Sequence, residues 1–160
     1  MRRGSGLLSR QILGAAVLAM CLMLGACASN PSSHRNSQNV IAVVHRTGGF
    51  VASDELISYY SDGAFDQVRQ DGPAKGKHTS GVLPRDSWAA LQRSLSAVDG
   101  LTVLEYPPPA GAADYHLFEL QRNGRTIKWT DLSPQLPEAL SQISIVFNLT
   151  EMLGDAAAKR

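Results

Sequence analysis

The chain has 160 residues, with 15 Lys and Arg against 14 Asp and Glu. This length favours one domain, and the near balance of charge argues against a nucleic-acid-binding surface. No internal repeat is visible, so a repeat array is excluded as well.

The N-terminal segment has the three parts of a secretory signal. Arginines precede an apolar run over Ile12–Leu24, and two small residues follow it. The run is shorter than the roughly 20 residues that a membrane-spanning helix needs. The pattern predicts a signal peptide over residues 1–26, cleaved between Ala26 and Cys27.

The four residues Leu24-Gly25-Ala26-Cys27 resemble the lipobox of bacterial lipoproteins. The resemblance implies that the Cys27 thiol carries a diacylglyceryl group and that the new amino group is often acylated too. Two or three acyl chains anchor a protein stably, because each buried methylene contributes about 0.8 kcal/mol. The alternatives are an ordinary cleaved signal, or an uncleaved anchor with Cys27 as a bystander.

Lipidation and cleavage would leave no free thiol pair, since Cys21 is removed and Cys27 is acylated. A disulfide framework and a Cys-rich zinc or redox site are then excluded. Residues 27–39 are rich in Ser and Asn and contain no large apolar side chain, which predicts a flexible, lipidated tether. No aspartate follows Cys27 directly, a pattern that resembles outer-membrane sorting in Gram-negative lipoproteins. The predicted location is the bacterial cell envelope, at the outer membrane facing the periplasm in a Gram-negative organism.

The predicted globular domain, residues 40–153, opens with a β-rich apolar strand over Val40–Val44. Gly48-Gly49 predicts a sharp turn after this strand, because adjacent glycines allow positive φ angles. Phe50 is expected to anchor the turn in the core.

A second turn is predicted at Asp62-Gly63, between two β-rich runs. A two-residue hairpin loop there would set the following pairs side by side: Tyr60 with Phe65, and Ile57 with Val68. The next segment, Asp71–Gly81, is rich in Gly, Pro and Lys and predicts a mobile loop.

Two amphipathic helices are predicted. The first covers Pro84–Val98, and Gly100 lies just past its end. The second begins at Pro134 or Pro137 and ends at Leu153, with Ser133 as N-cap and Gly154 as stop. Residues 154–160 are expected to form a frayed tail.

The clearest local pattern is a hairpin over Tyr115–Thr130, turning at Asn123-Gly124. A short strand over Leu101–Glu105 and an extended loop over Tyr106–Gly111 precede it. Folding about the turn matches apolar with apolar and acidic with basic residues in these pairs: Leu120 with Ile127, Phe118 with Trp129, Glu119 with Lys128, and Gln121 with Thr126. Together the elements predict an α+β domain, an antiparallel sheet of about four to six strands with two helices on one face.

No catalytic motif is visible: the chain lacks His-Glu-x-x-His, Gly-x-Ser-x-Gly and a phosphate-binding loop. Asp114 and His116 would share one face of a strand, but catalytic zinc needs three protein ligands and no third is evident. Trp88 and Trp129 have core spacing and are expected to pack in the interior. We therefore expect no enzymatic activity, no metal and no cofactor.

One family resemblance spans about Val40–Leu153. The emfourin family, proteinaceous inhibitors of protealysin and other thermolysin-like metallopeptidases, is similar to this chain in an ordered set of features: Arg46-x-Gly48-Gly49-Phe50, Asp62-Gly63, the leucine-patterned helix after Leu83, Tyr106-Pro107, Asp114-Tyr115, Gly124, and a closing helix with Pro137 and Leu140. The wider family includes lipoproteins and secreted proteins with the same Gly-Gly-Phe opening. Emfourin itself has no signal or lipid, so the lipobox and tether are departures.

The resemblance implies an α+β fold and inhibition by occlusion, in which a loop blocks the cleft of a metalloprotease or contacts another envelope protein. The candidate partner-binding residues are Arg46, Thr47, Gly48, Gly49, Phe50, Pro107, Pro108 and Pro109. The alternative for the glycines is a purely structural turn, and for the prolines a rigid connector. The competing function is a structural envelope lipoprotein with no protease target; a small-ligand binder has no compositional support.

Overall fold

The computed structural model describes residues 39–50, 52–71 and 76–157. The predicted signal peptide, its cleavage site at Ala26 and Cys27, and nearly all of the tether lie outside these residues. No helix among the described residues has the length and apolarity to cross a membrane.

The described residues form one seven-stranded sheet and two helices, which confirms the predicted α+β class. The strand order is β4-β3-β2-β1-β6-β7-β5, and only β5 and β7 run parallel. The elements in chain order are β1 (Val40–Gly48), β2 (Ser53–Tyr60), β3 (Ala64–Asp71), β4 (Lys77–Val82), α1 (Arg85–Val98), β5 (Glu105–Tyr106), β6 (His116–Arg122), β7 (Arg125–Thr130) and α2 (Glu138–Ala157).

Both helices pack on one face of the sheet, because alternate strand residues and the apolar helix residues form a single buried cluster. Trp129 is stacked on Phe118, with ring centroids 5.3 Å apart. Phe147 of α2 meets Phe118 edge-on at 5.6 Å. Trp129 is fully buried and Trp88 packs against the cluster, as their spacing predicted. The other face of the sheet, the open face, carries Leu56 and Val68, 36% and 46% exposed.

The two predicted hairpins differ in how well their registers were predicted. At Asn123-Gly124 all four predicted pairs are present. At Asp62-Gly63 the hairpin exists, but its predicted register is wrong by one residue: Tyr59 lies opposite Phe65 and Leu56 opposite Val68. The connection has one more residue than predicted, because Ser61 belongs to the loop and Gly63 closes it at φ +84°.

A mobile loop was predicted over Asp71–Gly81. This prediction is wrong for the described second half of the segment, which forms strand β4. Its polar residues suit a sheet edge, and pairing with β3 supplies the stability that composition alone does not show. At Gly81 a methyl group would lie 2.6 Å from the Phe65 ring, so the glycine allows close packing there. The short strand predicted at Leu101–Glu105 is shifted to Glu105–Tyr106.

The second helix begins and ends later than predicted. It starts at Glu138, so Ser133 is not its N-cap; the Ser133 hydroxyl instead bonds the backbone carbonyl of Tyr106. Gly154 does not stop the helix, which continues to Ala157. A side chain at Gly154 would collide with Gln67 of β3, so the glycine permits contact with the sheet rather than a helix end. The predicted frayed tail is therefore helical over residues 154–157.

The sheet has two ends that differ in what they carry. We call the first the entry end, where the chain enters β1 at Val40 and where the Asn123-Gly124 turn lies. We call the second the loop end, where β1 finishes at Gly48 beside His116 and β7 finishes at Thr130.

Candidate partner-binding surface

The Gly48-Gly49 turn lies at the loop end with φ angles of +98° and +73°. The Gly49 amide donates to the Tyr115 carbonyl at 3.0 Å, and the Ala52 amide donates to the Gly49 carbonyl at 3.0 Å. These bonds fasten a short β1–β2 connection to the start of β6. The predicted turn is confirmed, with positive φ at both glycines as expected.

Phe50 follows this turn and is 92% exposed. The prediction that it anchors the turn in the core is therefore wrong. The reason is the length of β1, which continues to Gly48 instead of ending near Val44. The turn thus lies beyond the last buried residue of the strand, Arg46, and Phe50 has no core to enter.

The close approach of β6 explains why both turn residues are glycines. A methyl group at Gly48 would lie 2.7 Å from the Tyr115 carbonyl oxygen, and one at Gly49 would collide with Nε2 of His116. Both positions also have the left-handed backbone that glycine adopts without strain. The turn is thereby clamped against Tyr115 and His116.

Asp131 holds the imidazole that lies against Gly49. Its Oδ1 accepts the His116 backbone N–H at 3.1 Å, and its Oδ2 lies 3.1 Å from Nδ1 of His116. Asp114 does not share a strand face with His116, because it precedes β6 and has φ +56°. The described part of the chain contains no group of three His, Cys, Asp or Glu residues placed to hold a metal.

The predicted proline segment reaches the same end of the sheet. Pro107 and Pro108 line a groove of about 180 Å³ that is mostly apolar, although Glu105 and Lys128 are also among its lining residues. Pro109 is exposed just beyond it. Tyr115 joins the two candidate loops, since its carbonyl holds the glycine turn and the same residue lines the groove. We call Phe50, its turn and this groove the loop-end surface.

Arg46 does not belong to the loop-end surface, although it was predicted with it. It is only 9% exposed. Its Nη2 donates to Glu55 at 2.6 Å and to Glu151 of α2 at 3.0 Å, and its guanidinium carbon lies 5.0 Å from the Phe147 ring centroid. Burial and these partners make Arg46 a structural residue; Thr47, the next residue along β1, is half-buried.

Glu55 is the centre of this buried ionic cluster and is fully buried. It accepts hydrogen bonds from Arg46 and from the side-chain amide of Gln67. Burial raises the pKa of the Glu55 carboxyl above its usual value, although the Arg46 charge opposes the shift. Arg69 of β3 bonds Glu151 at 2.7 Å, so the cluster fastens α2 to three strands just below the loop end.

Sequence reasoning missed this cluster, yet a signal was present. Arg46, Glu55 and Gln67 occupy core-facing positions in three successive strands, where the period-two pattern calls for apolar residues. Polar residues at inward positions must find partners in the interior. Their pairing became visible only once the register placed Arg46 opposite Glu55.

The loop-end surface combines an exposed aromatic ring, an apolar groove and a backbone held by hydrogen bonds. Such a combination suits contact with a protein better than chemistry on a small substrate. No family model matches the chain, and no curated protein matches its sequence.

Proposed function

We propose that this chain is a membrane-anchored envelope lipoprotein whose domain binds another protein, without catalysis, through the loop-end surface. The partner class that we propose is a thermolysin-like metalloprotease, which the domain would inhibit as emfourin does. The lipid-attachment part of this proposal rests on the lipobox at Cys27. The partner-binding part rests mainly on one observation, the exposure of Phe50.

Phe50 is 92% exposed, next to a turn in which Gly49 bonds Tyr115 and Ala52 and the Gly48 carbonyl accepts from the Ser53 hydroxyl. Moving a phenylalanine side chain from water into an apolar site contributes about 1.5–3 kcal/mol. A turn that is already ordered loses little conformational entropy on binding, so more of this energy is retained as affinity. An exposed ring on a rigid turn therefore supports a role as the anchor of an interface.

The groove beside Tyr115 would extend the contact. It is mostly apolar, and two of its walls are prolines, which have few conformations to lose. Phe50 and the groove could then contact neighbouring parts of one partner, because Tyr115 belongs to both. Inhibition would follow from occlusion: the turn fills the cleft of the protease, while its glycine backbone is bonded to Tyr115 rather than offered for cleavage.

The position of the surface suits a tethered protein. The chain enters the domain at Val40, and the nine residues of β1 carry it to Gly48 at the opposite end of the sheet. At about 3.3 Å per residue this separates the two points by roughly 26 Å. The lipid anchor would thus be attached at the end that does not bind the partner.

Titration of a thermolysin-like metalloprotease with residues 39–157 tests the inhibitory role. We expect inhibition by the unaltered domain at micromolar concentration or below. Phe50→Ala should weaken inhibition by about tenfold to a hundredfold, since 1.4 kcal/mol corresponds to a factor of ten.

Met152→Ala is a matched control, because Met152 is an exposed apolar side chain on α2, 69% exposed and outside the loop-end surface. It should leave inhibition unchanged. Absence of inhibition by the unaltered domain would contradict the protease role and favour a structural envelope lipoprotein. Equal losses for the two variants would contradict the role of Phe50.

Lipid attachment has its own test, which does not depend on the partner. Cells are labelled with radioactive palmitate and the protein is recovered from the membrane fraction. We expect label on the unaltered protein and none on Cys27→Ala, which should leave the membrane fraction. A Cys27→Ala protein that still pellets with membranes would contradict the lipoprotein assignment.

A further inference from the structure

We propose that the outer edge of β4 is a second interaction surface, which binds an extended segment of a partner protein as an added β-strand. This surface is separate from the loop-end surface. β4 is the last strand of the sheet on its side, and within the described ranges nothing pairs with its outer edge. The inference is carried by the direction of its backbone groups.

The register fixes which backbone groups of β4 point outward. The Leu83 amide donates to the Gly63 carbonyl at 2.9 Å, so Leu83 and Gly63 form a hydrogen-bonded pair. In an antiparallel ladder, hydrogen-bonded and non-hydrogen-bonded pairs alternate. The backbone N–H and C=O groups of His78, Ser80 and Val82 therefore face away from β3.

These three residues are exposed, and Val82 is 65% exposed. They present alternating donors and acceptors along a strand that has no proline and no irregularity in its register with β3. Such an edge is a template for another extended chain. The groups recognise a peptide backbone, and not a helix or a small ligand, because only an extended chain matches their spacing.

The opposite edge of the sheet is protected against pairing with a further strand, whereas the edge at β4 is not. β5 has only two residues, and Pro107, Pro108 and Pro109 follow it directly. Proline has no N–H to donate, so a strand cannot extend along that edge. On β4 the only charged residue is Lys77, at the very start of the strand and already paired with Asp155 at 2.8 Å.

The open face indicates which side chains the added strand would carry. Val82 and Val68 are exposed there, on adjacent strands. An added strand paired with His78, Ser80 and Val82 would place its own alternate side chains directly beside Val82, while Val68 lies one strand further in, opposite His78. We therefore expect a partner segment with β-branched or other apolar residues at every second position.

A segment of another protein fits this edge better than a second copy does. Two copies paired antiparallel about Ser80 would point their entry ends in opposite directions. That arrangement does not suit two chains tethered to one bilayer, as the lipoprotein proposal requires. The tether before Val40 is also a poor strand, because Ser, Asn and Pro31 have low β-propensity.

The test uses the full chain, purified in detergent and immobilised through its C-terminus. The probe is a phage-displayed library of random linear peptides. We expect selected peptides with alternating apolar residues that bind the unaltered protein and bind Ser80→Pro at least about tenfold more weakly. Proline at position 80 removes an outward N–H without breaking the ladder to β3.

Ser80→Ala is the matched control, since it changes the side chain and keeps the N–H; it should bind peptides as the unaltered protein does. Amide exchange on the unaltered protein gives a second measurement that needs no variant. Bound peptide should slow exchange at His78, Ser80 and Val82 by about tenfold or more, with no change at the buried amides of Leu91 and Leu95.

Four outcomes would overturn the proposal. Selected peptides could bind Ser80→Pro as well as the unaltered protein, or protect amides elsewhere. The library could yield no peptide that slows exchange on β4. The protein alone could form a dimer that Ser80→Pro abolishes, which would make a second copy the occupant. None of these outcomes depends on Phe50, so this proposal and the protease role fail separately.

Discussion

The two ends of the sheet use polar side chains in different ways. At the entry end, Asp99 accepts two hydrogen bonds from Arg122, both at 2.9 Å, and Arg125 donates to the Asp99 carbonyl at 2.8 Å. At the loop end, Asp131 positions His116 beneath the glycine turn, and Phe50 is left exposed. The bonds to Asp99 join the end of α1 to the strands on either side of the β6–β7 turn. The bonds to His116 instead support a turn that carries an exposed apolar side chain.

This difference between the two ends indicates which of them is suited to bind a partner. Polar groups that bond only one another complete a structure and leave little for a partner to contact. Polar groups that fix the turn before an exposed aromatic residue, next to an apolar groove, support a surface that a protein partner would cover. The buried cluster around Glu55 lies just below this surface and fixes the strands that carry it.

Removal of one carboxylate at each end should give the largest contrast. Glu55→Ala leaves Gln67 without its buried partner and Arg46 with Glu151 as its remaining carboxylate, and we expect it to lower the free energy of unfolding by about 3 kcal/mol. Asp99→Ala breaks an exposed pair and should cost at most about 1 kcal/mol. Urea unfolding followed by circular dichroism measures both, and similar losses would contradict the contrast.

Replacement of a turn glycine at each end should lower stability by an intermediate amount. It should also separate the cost of backbone strain from the cost of a steric clash. Gly124 has φ +72° with open space around it, so Gly124→Ala should cost about 1–2 kcal/mol from the backbone alone. Gly49→Ala has the same backbone strain and must also displace His116, so its loss should be larger. Thermal unfolding compares the two, and partner binding should fall only for Gly49→Ala.

The pH dependence of stability should have opposite signs at the two sites. The folded pKa of Glu55 is raised by burial, so the folded state holds this proton longer and stability falls as pH rises above about 4.5. Hydrogen bonds from Arg122 lower the pKa of Asp99, so its contribution to stability is lost as pH falls below about 3.8.

Replacing each carboxylate by the corresponding amide isolates its contribution to the pH dependence of stability. Glu55→Gln should remove the decline at higher pH, and Asp99→Asn should remove the loss at lower pH. The measurement is the urea midpoint of each variant and of the unaltered protein across this range. If Glu55→Gln left the slope above pH 4.5 unchanged, the burial account of its pKa would be wrong.

The strand register was predicted best where both strands of a hairpin alternate between apolar and polar residues. Around Asn123-Gly124, Glu119 faces Lys128 and Leu120 faces Ile127, so one register satisfies both faces and a shifted one satisfies neither. At Asp62-Gly63 the alternation was weaker and the loop could hold two or three residues. The existence of that hairpin was therefore predictable, but its register was not.

Features that depend on distant partners could not be predicted locally. β4 is stable because β3 pairs with it, and its own composition resembles a loop. The exposure of Phe50 depends on how far β1 extends, and Glu151 joins Arg46 from a helix at the other end of the chain. The two candidate loops were chosen separately from the sequence, and only the sheet order places Tyr115 between them.

Site-specific photocrosslinking in the native cells tests the central claim most directly, that the loop end contacts a protein. The photoreactive residue p-benzoylphenylalanine would replace Phe50 at the loop end, Asn123 at the entry end, or Met152 on α2. We expect one discrete crosslinked protein from position 50 and none from positions 123 and 152. No crosslink at position 50, or the same products from all three positions, would contradict the account.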